Sequence, residues 1–325
     1  MDWICKILGL IIGVGILNAL ATIAFFLNNS LYEKFISLTY RTYQNGTLNG
    51  QYGYRAALAD HYSQNGTYIS IVLIVLIAYF FTLKKGDNRR RLPIVVLCCI
   101  SIIALLLTGK RAHLLFTVAT SIILYYVANP KQRVGKTFKL MAVCGVLCFV
   151  ISLLIEYVPQ LAYTFDRLQN VGTDSASMNR IIMWQYATKM INNAPIFGVG
   201  WWGFRYEAGI INILDDAVTG CHNIYLEITA NCGFVGLIIL MVSVLSSLIA
   251  SLKNIGYCLG DELLDDYTVP ILASTAIQIF CLMYGFTGNV IFDRTFHFYM
   301  VAICVNLAFT IHRNMFLTGG KSDNV

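Results

Sequence analysis

This chain has little charge. Only 12% of its 325 residues are Asp, Glu, Lys or Arg, and it holds five prolines. With 57% hydrophobic residues and a mean hydropathy of +0.66, it lies outside the range of soluble domains, whose apolar share is roughly 45 to 50%. The composition belongs in a bilayer. A net charge of +6 comes without any basic patch interleaved with aromatics, so nucleic acid is not a partner. Ten cysteines include no CxxC pair at metal spacing, and neither a zinc site nor a disulfide framework is predicted. Cys98, Cys99, Cys144, Cys148, Cys232, Cys281 and Cys304 fall in apolar runs, where a free thiol behaves as a small hydrophobe; Cys221 is the one in a large outer loop. Internal repeats and low-complexity tracts are missing too, and residues 1–325 read as one membrane domain.

What is present is a series of apolar runs. Crossing a hydrocarbon core of about 30 Å takes roughly 20 residues as helix, since every buried backbone group must be satisfied internally. Eight runs approach that length, several of them falling short so that their helix ends extend into flanking Tyr, Thr or Gly: Ile7 to Leu27, Tyr68 to Leu83, Leu92 to Leu107, Ala112 to Ala128, Leu140 to Val158, Ile224 to Leu252, Val269 to Phe286 and Phe296 to Ile311. The expected fold class is therefore an all-α polytopic membrane protein of about eight transmembrane helices. Ile7 to Leu27 follows Lys6 as a signal peptide would, but its apolar stretch exceeds the usual 7 to 15 residues, so it is kept as a span.

"KKGDNRRR" (Lys84 to Arg91) holds five basic residues and "PKQRVGKTFK" (Pro130 to Lys139) holds four, which places both loops in the cytoplasm. Both termini then lie inside. Residues 28 to 67, 108 to 111, 159 to 223 and 287 to 295 lie outside, with the largest loop, 159–223, between helices 5 and 6. The positive charge is thereby assigned to inner loops. Two "NGT" triplets, at Asn45 and Asn65, are formal glycosylation sequons and are taken as coincidental in a chain of bacterial character.

The chemistry-bearing residues gather in the outer segments. Arg111 lies in the tight turn of "LLTGKRAHLL", as either a snorkelling interfacial cation or an anion clamp at the bundle mouth. "RIIMWQYATKMI" puts Ile181, Trp184, Thr188 and Ile191 near one helical face and Arg180, Gln185 and Lys189 near the other, an amphipathic surface helix with Trp184 as interface anchor. Pro195 ends it. Gly198, Gly200 and Gly203 then permit bends beside Trp201 and Trp202, whose rings suit a sugar face or the headgroup belt; the glycines lack a Walker lysine, so nucleotide binding is a weak reading. His222, in "GCHNIYLE", stands where the outer loop re-enters the membrane, ahead of Asn223, Glu227 and Asn231. An imidazole there can take a proton from a hydroxyl, or be a hydrogen-bonded structural group.

Taken together, the Arg-bearing turn after "LLTG", the "R…W…P.FG.G…F" block and "HN.YL" followed by "NCGFVG" resemble the O-antigen ligase and polysaccharide polymerase superfamily over roughly residues 100 to 250. That family's turn reads Ser-Arg; here it reads Lys110-Arg111. "YRAALADHYSQNGTY", with Arg55, His61 and Asn65, is similar to the family's outer loop ahead of a helix. The resemblance implies a GT-C-like architecture in a bacterial inner membrane. It also implies an inverting glycosyltransferase whose donor is an oligosaccharide on polyprenyl diphosphate and whose acceptor is a glycan hydroxyl, with no cofactor and no metal. In that scheme Arg111 and Arg180 hold the diphosphate, His222 is the base, and Trp184, Trp201, Trp202, Arg55 and Asn223 bind substrate. Should His222 not serve, Glu207, Asp215 and Asp216 are the other candidate bases.

Three functions follow. One is a polymerase of capsule or O-antigen repeat units, working with a chain-length regulator. The second is a ligase passing finished glycan to a lipid core or another acceptor. The third is a transporter of lipid-linked sugar, which calls for broken or charged mid-membrane helices and repeats, expected absent here. Asp293 and Arg294 of "IFDRTF" can pair with each other and are given a structural role.

Overall fold

A computed structural model describes residues 2–39, 53–83, 86–128, 135, 137, 175–210, 220–261 and 264–319. Among them every regular element is helical. In chain order these are α1 (Asp2–Leu27), α2 (Asn29–Thr39), α3 (Tyr62–Thr82), α4 (Asn88–Leu107), α5 (Arg111–Val127), α6 (Ser175–Asn193), α7 (Gly203–Ile210), α8 (Ile224–Gly260), α9 (Asp265–Tyr284) and α10 (Phe296–Gly319), with single 3₁₀ turns at Gly53–Arg55 and Val290–Phe292. Five of them, α1, α3, α4, α8 and α9, are long and apolar enough to cross a membrane, and α5 is a shorter apolar helix. The predicted span from Leu140 to Val158 lies outside the described residues, as do most of the basic loop Pro130 to Lys139, Asn45, Asp215 and Asp216.

The centre of the bundle is α3 against α9. The α3 run Ile69, Ser70, Ile71, Val72, Leu73, Ile74, Val75, Leu76 is buried without a break, so no face of it is left for lipid. Helices α1, α4, α5 and α9 surround it. One large cluster joins Leu8 of α1, Ile74 of α3, Phe280 of α9 and Phe309 of α10. Apolar contact alone gives little directional preference between helices in lipid, so polar pairs fix their register. Asn65 Nδ2 donates to Thr22 Oγ1 at 2.9 Å, Gln278 Nε2 to Ser251 Oγ at 2.8 Å, and Asn306 Nδ2 to Ser274 Oγ at 2.6 Å.

Helix α8 overturns one expectation. Its 37 residues would run roughly 55 Å if straight, nearly twice the hydrocarbon thickness, and it is broken at Gly233 (φ 67, ψ −173). That backbone angle is available to glycine almost alone. The break exposes carbonyls and amides that the segment Pro195 to Gly200 satisfies: Val199 N donates to Ala230 O at 3.0 Å, Gly200 N to Asn231 O at 2.9 Å, and Phe234 N to Pro195 O at 2.8 Å. A Cβ on Gly233 would lie 2.0 Å from Ile196 O. The apolar run from Ile224 to Leu252 is thus two helices joined across a glycine, not one continuous span.

Two further corrections concern the outer segments. Helix α6 turns a different face inward than its sequence pattern implied: Ala187 and Met190 are buried, with Met183, Trp184, Tyr186 and Ile191 packed around them against Ala230 and Leu226 of α8. Ile181 and Thr188 are exposed. The helix lies on the upper part of α8, and that contact selects its face. Arg294 does not pair with Asp293; its Nη1 bonds to Asp60 Oδ2, tying the turn before α10 to the one before α3, while Asp293 Oδ1 accepts from Thr295 N at 3.1 Å.

Candidate functional site

The site forms where the starts of α3, α5 and α8 meet α6 and the turn after α9. The upper end of α8 is fixed first. Ile224 N donates to Gly285 O at 2.9 Å and Tyr225 Oη to Leu282 O at 2.7 Å, which locks α8 to the end of α9. Asn223 is the N-cap, its Oδ1 accepting from Tyr225 N and Leu226 N at 3.1 Å each. Asn223, expected to bind substrate, therefore commits its side-chain oxygen to the helix.

His222, one residue earlier, has φ 54, an uncommon left-handed conformation for a non-glycine residue. Three side chains hold the turn there. Asn289 Oδ1 accepts from His222 N at 3.0 Å. Trp184 Nε1 donates to Cys221 O at 3.1 Å. Glu227, fully buried, accepts from Cys221 N at 2.9 Å with one oxygen and from Arg205 Nε at 2.6 Å with the other. The Arg205 guanidinium stacks between Trp202 and Phe292, 4.4 and 4.6 Å from their ring centroids. Trp202, itself at φ 69, thereby belongs to the clamp under His222. Trp201 lies beside Phe292 at 5.5 Å and stays 63% exposed against 43% for Trp202, so it is the more open of the two.

Arg180 is one helical turn before Trp184 on α6, and the Trp184–Cys221 bond brings that turn to His222. Burial pushes the His222 imidazole down to about 4, and the charges of Arg180, Lys110 and Arg205 push it the same way. His61 is likewise pushed down to about 4, by burial first and then by Lys110 and His222. Its Nδ1 caps α3 by accepting from Ser63 N at 3.0 Å. Below this layer Ser63 shares a hydrogen bond with Tyr284 at 2.8 Å, and Thr67 shares one with the fully buried His113 at 3.0 Å. The Cys221 thiol is pushed up to about 12 by burial and then by Glu227, which makes it inert.

Of the residues singled out in the sequence, Arg180, His222, Trp184, Trp202 and Asn223 come together. Arg111 is the partly buried first residue of α5. Arg55 sits in the Gly53–Arg55 turn, its carbonyl accepting from Asn65 Nδ2 at 2.9 Å, and Glu207 is exposed. Sequence reasoning passed over Lys110, Arg205 and Asn289. Lys110 was readable as a second cation in a two-cation turn; Arg205 and Asn289 carry no local signal, because their roles exist only once the segments converge. The chemistry on offer is a neutral imidazole among several cations, suited to deprotonating a hydroxyl beside a polyanionic group.

Residues 96–241 match the family model described as O-Antigen ligase. No curated protein matches the chain. The matched stretch takes in α5, α6 and the broken upper part of α8, the elements that carry Arg111, Arg180 and His222.

Proposed function

We propose a reaction for this chain from the membership in the O-antigen ligase/polymerase superfamily that the match supports. It transfers glycan from a polyprenyl-diphosphate donor to a sugar hydroxyl on the outer face of a bacterial cytoplasmic membrane, and its main product is a polymer of surface-polysaccharide repeat units. The observation that carries this reading is the convergence of Arg180 on α6 and His222 ahead of α8. Both termini are cytoplasmic in this scheme.

Arg180, with Arg111 at the mouth of α5, binds the diphosphate and stabilises the charge that grows on it as the glycosidic oxygen leaves. A guanidinium stays charged at any working pH and meets phosphoryl oxygens two at a time. His222, neutral and held by Asn289, takes the acceptor proton as the hydroxyl attacks the anomeric carbon from the face opposite the diphosphate. One C–O bond forms, the C–O bond to the diphosphate breaks, and the anomeric configuration inverts. Trp201 offers its exposed ring to a sugar face. The diphosphate leaves as an anion already activated for departure, so the scheme needs no nucleotide.

The ligase reaction is the same chemistry with a different acceptor. A transporter reading gains one observation, the break at Gly233, since broken helices form transport sites; here, however, the freed backbone groups are taken by Val199 N, Gly200 N and Pro195 O. The test is the length and attachment of the surface glycan in a deletion strain complemented with wild type or Arg180→Ala. Single repeat units with Arg180→Ala mean polymerase, and long chains stranded on the lipid carrier mean ligase. Normal polymer, normally attached, would count against glycosyl transfer at this site.

A further inference from the structure

The turn between α4 and α5 is built to aim Lys110. Thr108 is fully buried, its Oγ1 donating to Leu105 O at 2.7 Å and accepting from Lys110 N at 3.3 Å. Gly109 between them has φ 67. Lys110 is the N-cap of α5 yet makes no side-chain capping bond, as expected of a side chain that carries only donors. Its Nζ instead lies 3.6 Å from the centroid of the Tyr62 ring, where cation–π attraction holds it. Tyr62 opens α3, and its ring packs 4.5 Å from that of His61. Lys110 and His61 thus both pack on the Tyr62 ring, and the charge of Lys110 acts on the imidazoles of His61 and His222.

His61 presents one kind of hydrogen-bonding group to that space. Its Nδ1 is an acceptor for Ser63 N, so the neutral ring carries its proton on Nε2 and is a donor there. An ammonium and an imidazole N–H packed on one tyrosine suit phosphoryl oxygens, and suit a hydroxyl to be deprotonated poorly. Arg180 approaches the same space from α6, through His222. The Lys110 position is also where the turn departs from the Ser-Arg pattern of the family it resembles.

We infer that Lys110 and His61 form a second phosphoryl-binding pair, which holds one phosphate of the donor diphosphate on the α3–α5 side while Arg180 holds the other. This rests on the polyprenyl-diphosphate reading above. The chemistry recognised is a phosphoryl oxygen, which a membrane phospholipid headgroup also carries, so the test separates the two sources.

The probe is farnesyl diphosphate, titrated against the purified protein in phosphatidylcholine nanodiscs. Lys110→Met weakens its binding by about tenfold, the loss expected of one charge-assisted contact, and Lys110→Gln does the same. Lys110→Arg stays within roughly threefold of wild type, because the charge is retained. His61→Asn keeps the helix cap, since Asn Oδ1 can accept from Ser63 N, yet also weakens binding. Wild-type affinity in Lys110→Met and Lys110→Gln overturns the inference and leaves the functional reading standing. If wild type itself binds no farnesyl diphosphate, the polyprenyl-diphosphate reading falls as well. Repeating the titration in phosphatidylglycerol nanodiscs decides the source. Variants that lose tightly bound phospholipid while keeping the farnesyl diphosphate affinity would assign Lys110 to a lipid headgroup and overturn the inference.

Discussion

His222 owes its position to backbone as much as to its own side chain. The left-handed angle at φ 54 costs of order 1 to 3 kcal/mol and persists because Asn289, Trp184 and Glu227 over-determine the turn. As the base, His222 is worth a factor of about 10² to 10⁴ in turnover, and His222→Ala is expected to lose that much kcat with the donor KM little changed. Unchanged kcat would move the base elsewhere. Glu227 acts one step back. Glu227→Ala leaves the Arg205 guanidinium buried without its carboxylate, a loss of about 3 to 5 kcal/mol readable as a drop in melting temperature in detergent; a variant melting like wild type would show that Arg205 finds another partner. The histidines also set a pH dependence. Both have folded-state values of about 4 against an ordinary 6.5, so between those limits the unfolded chain binds more protons. Stability is then full above pH 6.5 and falls as pH drops towards 4. A melting temperature flat across that range, or rising on acidification, would contradict the burial described here.

At the scale of elements, the break in α8 matters most. Pro195 to Gly200 hydrogen-bonds into the gap at Gly233, and the same segment leads through Trp202 to Arg205 and the Glu227 clamp, so the break and the site share one piece of chain. Gly233→Ala forces a Cβ to 2.0 Å from Ile196 O at a positive φ, whereas Gly13→Ala on α1 meets nothing within 4 Å. Gly233→Ala is expected to lower the folded yield and melting temperature sharply, and Gly13→Ala to leave both unchanged; equal behaviour would mean that the break is not fixed by its glycine. The sequence could not announce this break. A glycine in an apolar run has no local signature, and the segment that pairs with the gap lies some thirty residues upstream. Helix α6 gives the complementary lesson. Its existence was legible from periodicity and from Pro195, but its inward face was misassigned, because the pattern was read against lipid while the helix packs on α8.

Over the whole molecule the bilayer itself makes the fold legible. Apolar runs near 20 residues are a physical requirement, and α1, α3, α4, α5, α8, α9 and α10 each overlap a run in the sequence, with α1, α3, α4 and α9 starting a turn or more early and α8 and α10 extending past their runs. The polar extensions are informative: α3 begins at Tyr62, six residues ahead of its apolar run, and those residues bring Ser63 and Thr67 to Tyr284 and His113. Half of the site was legible as a set of motifs, namely Arg180, Trp184 and His222. His61 was legible too, within the "YRAALADHYSQNGTY" motif, and Lys110 as the second cation of its turn, but neither with a stated role; Arg205 and Asn289 come from separate segments, and only tertiary contact gives them a common purpose. Topology follows from the same picture. Alkaline phosphatase fused after Asp60 is expected to be active and after Gly86 inactive, because enzyme exported with the outer loops folds and enzyme left with the basic loops does not; the reverse result would turn the site to the cytoplasm.

The most direct measurement uses the purified protein in nanodiscs with a polyprenyl-diphosphate-linked oligosaccharide and an acceptor glycan, following the new anomeric linkage and the released lipid diphosphate together. One polyprenyl diphosphate is expected per glycosidic bond formed, with inverted anomeric configuration, and both signals should vanish together in Arg180→Ala. Donor that crosses a liposome bilayer with its glycan still attached, and with no diphosphate released, would contradict a glycosyltransferase and identify a transporter instead.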